Sequence, residues 1–322
     1  MDSKDQRLPL TVITGYLGAG KTTLVNHMLR HADGRRIMVL VNDFGDIAVD
    51  ADLIESQEGD TLTLANGCIC CSMGGDLFYA LSDALDRQPR PDHLLIEASG
   101  VADPTRISEI ARAEPELRLD GTIALLDALG FPALVDDAQI GSSLVRQIAA
   151  ADLIVVSKSD LQAPDALSEL KAQVAALAPT ARQIEASFGR VPLEVLLGSL
   201  SPAEVDEIPQ GCAHYGHSGH DHANHDHAED HEDLYSRWSL ARDCIFGQQE
   251  LADVLKDLPA GLLRLKGFVK LDGCWALVQA VGGRVEIESL PRVPDHIKHT
   301  TLVAIGLKGQ MDTVELNRLF SR

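Results

Sequence analysis

The sequence predicts an α/β protein, a mostly parallel sheet with a small α+β domain after it. Three observations carry this reading. From residue 8 to about residue 200, short runs rich in Val, Ile and Leu alternate with longer amphipathic ones. A stretch of Gly, His, Asp and Glu then interrupts the pattern. Beyond it, apolar runs return, several of them separated by two-residue turns. At 322 residues the chain has room for two domains of about 150 residues each. Its 45% hydrophobic and 24% charged residues exclude wholesale disorder and a disulfide-scaffold miniprotein.

Parallel strands covered by helices on both faces read as apolar runs with little alternation. Residues 10–14, 36–42, 94–97, 122–127 and 152–157 fit that description, and residues 22–30, 76–86, 104–113, 139–150 and 164–177 have the spacing of the intervening helices. Residues 202–233 cannot bury a core and read as a His-rich flexible linker between residues 1–201 and residues 234–322. In the last segment, residues 235–241, 262–271, 274–281, 284–290 and 301–307 are predicted strands, and residues 248–258 and 311–320 are predicted helices. Asp272-Gly273 and Gly282-Gly283 are hairpin turns between three of those strands.

Lys and Arg number 28 against 48 Asp and Glu, a net charge of −20. So acidic a surface repels phosphate backbones and anionic headgroups, which argues against nucleic acid or a membrane as partner. No apolar run reaches the roughly 18 residues that a membrane-spanning helix needs. Residues 8–19 lie behind Lys4 and Arg7, but acidic residues precede them and no cleavage site follows, so they read as a core strand and not a leader. Three of the six cysteines crowd into Cys68-Ile69-Cys70-Cys71. Adjacent thiols pair awkwardly, which points to a cytoplasmic protein whose reduced thiols serve metal or redox chemistry.

Gly15-Tyr-Leu-Gly-Ala-Gly-Lys-Thr22 follows the first strand and opens the first helix, the context that a phosphate-binding loop requires. Gly15, Gly18 and Gly20 let the backbone curl so that its N–H groups face phosphate oxygens. Gly15, Gly18, Ala19, Gly20, Lys21, Thr22 and Thr23 are therefore the candidate phosphate contacts, with Lys21 adding a full positive charge and Thr22 a hydroxyl for Mg²⁺. Glu97 ends the apolar run Leu94-Leu-Ile-Glu97 and is the candidate acid for Mg²⁺, directly or through water; Asp127 at the end of Ile123-Ala-Leu-Leu-Asp is its rival. Gly100, three residues after Glu97, favours the former by letting the next loop approach the γ-phosphate.

Ser157-Lys158-Ser159-Asp160 closes another strand and fits a base-reading loop. Guanine presents N1–H and N2–H₂ on one edge, and one carboxylate can accept both; adenine cannot offer them, so Asp160 points to GTP. Lys158 can lay its aliphatic stem along the base. Ser157 takes a place where Asn would supply an amide. Lys21, Thr22 and Glu97 can stabilise charge on a transferring phosphoryl group, while no water-orienting Gln or arginine finger stands out, so the expected GTP hydrolysis is slow.

In an extended segment Cys68 and Cys70 share a face, and a turn near Cys71 can bring in a third sulfur. Three thiolates leave a tetrahedral ion one open position, suited to Zn²⁺ that is handed on. Seven of the twelve histidines, His214, His217, His220, His222, His225, His227 and His231, lie within eighteen consecutive residues, offering many interchangeable imidazole sets for Zn²⁺, Co²⁺, Ni²⁺ or Cu²⁺.

A phosphate loop, a Glu-x-x-Gly strand end, a Ser-Lys-x-Asp loop and Gly67-Cys-Ile-Cys-Cys71, in this set, resemble the CobW family of metallochaperone GTPases. Asn42-Asp43-Phe44-Gly45-Asp46, Glu97-Ala-Ser-Gly-Val-Ala-Asp-Pro104 and Leu265-Lys-Gly-Phe-Val269 also resemble its recurring segments. The resemblance implies a P-loop GTPase domain followed by a CobW-type C-terminal domain. It also implies GTP hydrolysis to GDP coupled to metal delivery, with a client metalloprotein as partner. Asp43 stands where the family commonly has Glu, a shorter candidate metal ligand. Zinc, cobalt for cobalamin synthesis, activation of a metalloenzyme, and monomer or homodimer all stay open, as does a metal buffer or sensor whose nucleotide only modulates partner binding.

Overall fold

The computed structural model describes residues 7–32, 34–41, 61–63, 75–98, 103–198, 211–215, 234–291, 293 and 297–320. Packing divides the chain into two compact units that part after Leu193. In the first, strands β1 (Leu8–Gly15), β2 (Ile37–Val41), β3 (Thr61–Thr63), β4 (His93–Glu97), β5 (Leu117–Asp127), β6 (Leu153–Ser157) and β7 (Arg182–Ala186) form one sheet in the order β3-β2-β4-β1-β5-β6-β7. Every pairing in it is parallel. Helices α1 (Lys21–Arg30), α2 (Gly75–Asp86), α3 (Pro104–Ala113), α4 (Phe131–Val135), α5 (Gly141–Ala149) and α6 (Pro164–Leu177) connect the strands.

The apolar runs are continuous because both faces of this sheet are covered. Leu10 and Val12 of β1 and Leu94 and Ile96 of β4 pack with Leu77 and Leu81 of α2 and Ile107 of α3. Ala124, Leu126, Ile154 and Val156 pack with Leu144 and Ile148 of α5 and Leu170 and Val174 of α6. The intervening residues Ile13, Val39, Leu95 and Val155 are equally inaccessible, as are Leu24, Val25 and Met28 of α1. Asp103 caps α3, its carboxylate accepting from the Thr105 N–H at 3.0 Å, and Pro104 fills the first helical position.

The second unit begins inside the short helix α7 (Leu193–Leu197) and is built on strands β8 (Gly211–Tyr215), β9 (Tyr235–Arg242), β10 (Ile245–Phe246), β11 (Leu262–Leu271), β12 (Cys274–Val281), β13 (Arg284–Leu290) and β14 (Thr300–Leu307), with helices α8 (Gln248–Val254) and α9 (Thr313–Phe320). The sheet runs β13-β12-β11-β14-β9-β8, and β10 pairs with β11. Asp272-Gly273 and Gly282-Gly283 are the two-residue connections expected, since Leu271 pairs with Cys274 and Val281 with Arg284. Trp238, Phe246, Leu265, Leu302, Leu316 and Phe320 form its core. Trp238 completes its burial by donating Nε1–H to Asn317 Oδ1 at 2.7 Å.

The shift in composition at residue 202 marks where the apolar pattern stops, not where packing changes. Arg264 is 3% exposed, and its guanidinium donates to the carbonyls of Val195 (2.6 Å) and Leu196, fastening the end of α7 to β11. Within the stretch read as a linker, Gly211–Tyr215 is a strand, antiparallel to β9 with Cys212 opposite Leu240 and His214 opposite Trp238. The linker expectation is corrected there. An edge strand needs backbone pairing on one side only, so its composition carries little signal. Removing residues 216–233 is accordingly expected to leave the unfolding temperature nearly unchanged, whereas a deletion that begins at residue 212 lowers it. Thermal unfolding of the two deletions checks this, and equal midpoints would contradict a contribution from β8.

Candidate functional site

The loop after β1 is shaped by three glycines in the left-handed region, Gly15 at φ 144°, Gly18 at 77° and Gly20 at 96°. At Gly15 a close approach adds to the requirement, because a Cβ would lie 2.5 Å from the Leu125 carbonyl oxygen on β5. Ala19 N–H closes the loop on Tyr16 O at 3.1 Å, and α1 starts at once with Lys21. Lys21 is only 6% exposed, its ammonium donating to Gly15 O at 3.0 Å and Tyr16 O at 3.4 Å. A buried cation is thus folded into the loop whose amides can meet an anion. Thr22 is partly exposed and Thr23 exposed at the start of α1.

Glu97 is 2% exposed at the end of β4, paired in register with Ile13 of β1 and Val41 of β2. Its carboxylate and the Thr22 hydroxyl are hard oxygen donors, and a carboxylate this buried favours a nearby cation, so the residues present fit Mg²⁺. Asp127 ends β5 and is engaged differently. Lys158 Nζ donates to Asp127 Oδ2 at 2.6 Å, and Leu129 N–H to Oδ1 at 2.9 Å. Burial alone pushes the Asp127 carboxyl up, but the hydrogen bond from Lys158 and the backbone N–H groups of Leu129 and Gly130 outweigh it and hold it below its ordinary value. A depressed carboxyl contributes fully above the unfolded value and is lost as pH falls through the folded one, so this bridge weakens only in acid.

Lys158 sits at φ 56° at the head of a 3₁₀ turn over Ser159–Leu161. Three contacts brace the loop: Lys158 with Asp127, Gln162 Nε2–H with Ala128 O at 3.1 Å, and Ala128 N–H with Ser157 O at 3.0 Å. Ser157, buried, directs its hydroxyl at Ala19 O (2.8 Å) and Leu126 O (3.2 Å). The short side chain therefore ties this loop to the phosphate loop, a bridge that the motif alone did not reveal. Asp160 is exposed and makes no hydrogen bond among the described residues, which leaves its carboxylate available to a base.

Cys68, Cys70, Cys71, Asp43, Gly100, His217, His220, His222, His225, His227 and His231 lie outside the described residues. His214 lies on β8, in the second unit. Among the described residues no group of three or more His, Cys, Asp or Glu is placed to hold a metal. Val41 and Thr63 are the last described residues before the two segments that carry Asp43 and the three cysteines. Residue 42 follows Val41 and residue 64 follows Thr63, and Val41 and Thr63 are partners in a parallel pair.

A loop bent by three left-handed glycines at the carboxyl end of an all-parallel sheet, with a lysine folded into it, is built for nucleotide phosphates, and with this fold it defines a P-loop nucleotide-binding protein. Residues 9–185 match the family model described as CobW/HypB/UreG, nucleotide-binding domain, and residues 235–322 match the cobalamin synthesis protein cobW C-terminal domain. The chain belongs to the CobW family. It is 33% identical over 315 residues to the zinc chaperone CobW of a Sinorhizobium species, covering 87% of each chain. To the zinc chaperone CobW of Pseudomonas aeruginosa it is 34% identical over 339 aligned positions, covering 93% of this chain and 88% of the other. To the zinc chaperone YjiA of Escherichia coli it is 39% identical over 181 residues, 53% of this chain and 56% of that one. Among the described residues no helix is long and apolar enough to cross a membrane.

Proposed function

We propose that this chain is a GTP-hydrolysing metallochaperone. It takes Zn²⁺ at Cys68, Cys70 and Cys71 and hands the ion to a client metalloprotein in the cytoplasm, where thiols stay reduced. The observation that carries the reading is a complete phosphate loop on a chain that aligns over 87% of its length with a zinc chaperone. Gly15, Gly18, Ala19, Gly20, Lys21, Thr22 and Thr23 hold the phosphates, and Thr22 and Glu97 would hold Mg²⁺, which when bound would supply positive charge to the phosphoryl group. Thiolate donors favour zinc over harder or less thiophilic ions.

Asp160 selects the base and Lys158, pinned by Asp127, offers its stem to the ring face. Asp160→Asn is expected to shift preference from guanine toward xanthine nucleotides by about tenfold or more, since the xanthine C2 carbonyl replaces the amino donor. Competition binding with GDP and xanthosine diphosphate checks this; unchanged preference would remove Asp160 from the base site.

Support for a coupling of the two ligands comes from Val41, which pairs with Glu97 on one side and with Thr63 on the other, so the residues before both ligand-bearing segments lie on neighbouring strands. A γ-phosphate that orders the first segment repositions the second, so GTP tightens the thiolate site and hydrolysis loosens it. The direct test is zinc transfer to an apo-client. Transfer that depends on GTP hydrolysis supports a chaperone; transfer at the same rate with GTP, GDP or no nucleotide marks a buffer.

A further inference from the structure

The turn after β7 carries strain that its packing does not explain. Arg190 N–H donates to Ser187 O at 3.1 Å, closing a tight turn whose central residues Phe188 and Gly189 have φ of 54° and 69°. Two successive left-handed residues form the turn that Gly and Asn favour, and a bulky side chain at the first is an outlier. Gly189 has a reason to be there, since a Cβ would lie 3.1 Å from Leu24 Cα and 3.3 Å from the Thr23 carbonyl carbon. Phe188 has none in the core. The residue is 74% exposed, with one ring face toward the Arg190 guanidinium, 5.9 Å from the ring centroid. Strain of this kind persists at ligand-binding positions.

The position of the turn indicates the ligand. Ala186, the last residue of β7, pairs with Ser157, so the turn leaves the sheet beside Lys158 and Asp160. Gly189 rests on the first turn of α1, next to Thr23. The turn thus stands between the loop shaped for phosphates and the loop shaped for a base, all within the first unit. We propose that the Phe188 ring closes the base site, so that a purine stacks between this ring and the methylene stem of Lys158. This inference rests on the nucleotide reading above. Stacking accepts any base, so Phe188 supplies affinity and leaves the choice of base to Asp160.

Equilibrium binding of GDP to the full chain tests it, with inorganic triphosphate as a probe that has no base. Phe188→Gly is expected to weaken GDP binding about tenfold or more while leaving triphosphate binding unchanged. Its unfolding temperature should not fall, because glycine accepts the left-handed backbone. Phe188→Trp is expected to keep the GDP affinity and to add, over the wild-type signal, quenching of its own fluorescence on GDP binding. Equal GDP affinity in Phe188→Gly and wild type would overturn the inference, as would an equal loss for triphosphate, which would mark a structural role. Failure of the wild type to bind GDP at all would overturn the nucleotide reading itself.

Discussion

Lys21→Ala is expected to abolish GTP turnover. The ammonium is held inside the phosphate loop at 6% exposure, hydrogen-bonded to two loop carbonyls. Pre-positioned there, it can meet charge that develops on the transferring phosphoryl oxygens without reorganising at the moment of reaction. Removing one such group costs on the order of 3–4 kcal/mol, or about 10²–10³ in rate, and a chain with no evident arginine finger in its sequence starts from a slow intrinsic rate. The side chain also satisfies Gly15 O and Tyr16 O, so Ala leaves two carbonyls to water and lowers stability by roughly 1 kcal/mol each at most. Single-turnover hydrolysis and thermal unfolding separate the two effects. A rate within tenfold of wild type on a folded variant would remove Lys21 from catalysis.

The second large effect is expected on zinc. Replacing Cys68, Cys70 and Cys71 together by Ser exchanges thiols that ionise near pH 8.5 for hydroxyls that do not ionise in this range. Zinc bound by thiolates in small structural sites is worth about 10–16 kcal/mol, so the tight site should be lost by several orders of magnitude. GDP affinity should stay close to wild type, because the phosphate loop and the Ser157–Gln162 loop are braced by their own contacts. Zinc uptake by the wild type should release protons, and the triple variant should release none. Chelator competition together with proton release in weak buffer measures both. Retained tight zinc in the variant would place the site elsewhere, with the histidines as the remaining donors.

Most of the first unit was legible because its central strands are buried on both faces and prolines mark the starts of helices such as α3 and α6. The predicted helices over residues 104–113 and 164–177 coincide with α3 and α6. What escaped was chain that is only half inside. β7 buries only Ile184 and Ala186, β3 is three residues long, and β8 lies in a segment whose composition argues against any element. β5 begins at Leu117, earlier than its apolar run, because Asp120 and Gly121 interrupt the pattern where the register with β1 shifts.

At the site, the glycines and Lys21 could be read from spacing, since each is demanded by the loop itself. The cross-loop contacts could not. That Ser157 reaches Ala19 O, and that Asp127 is the partner of Lys158, depend on which strands lie side by side. Phe188 belongs to no motif, and only its backbone conformation and exposure single it out. The coupling of nucleotide to metal gained its strongest support in the same way, from Val41 and Thr63 ending adjacent parallel strands.

The most direct test of that coupling is a zinc titration of the full chain, saturated in turn with a non-hydrolysable GTP analogue and with GDP. Coupling between two ligands is reciprocal, so the same factor must appear when nucleotide is titrated with zinc present and absent. The expected result is tighter zinc binding in the triphosphate state by about 5- to 150-fold, with an equal gain in GTP-analogue affinity when zinc is bound. Equal zinc affinity in the two nucleotide states would contradict the account and leave a metal buffer in its place.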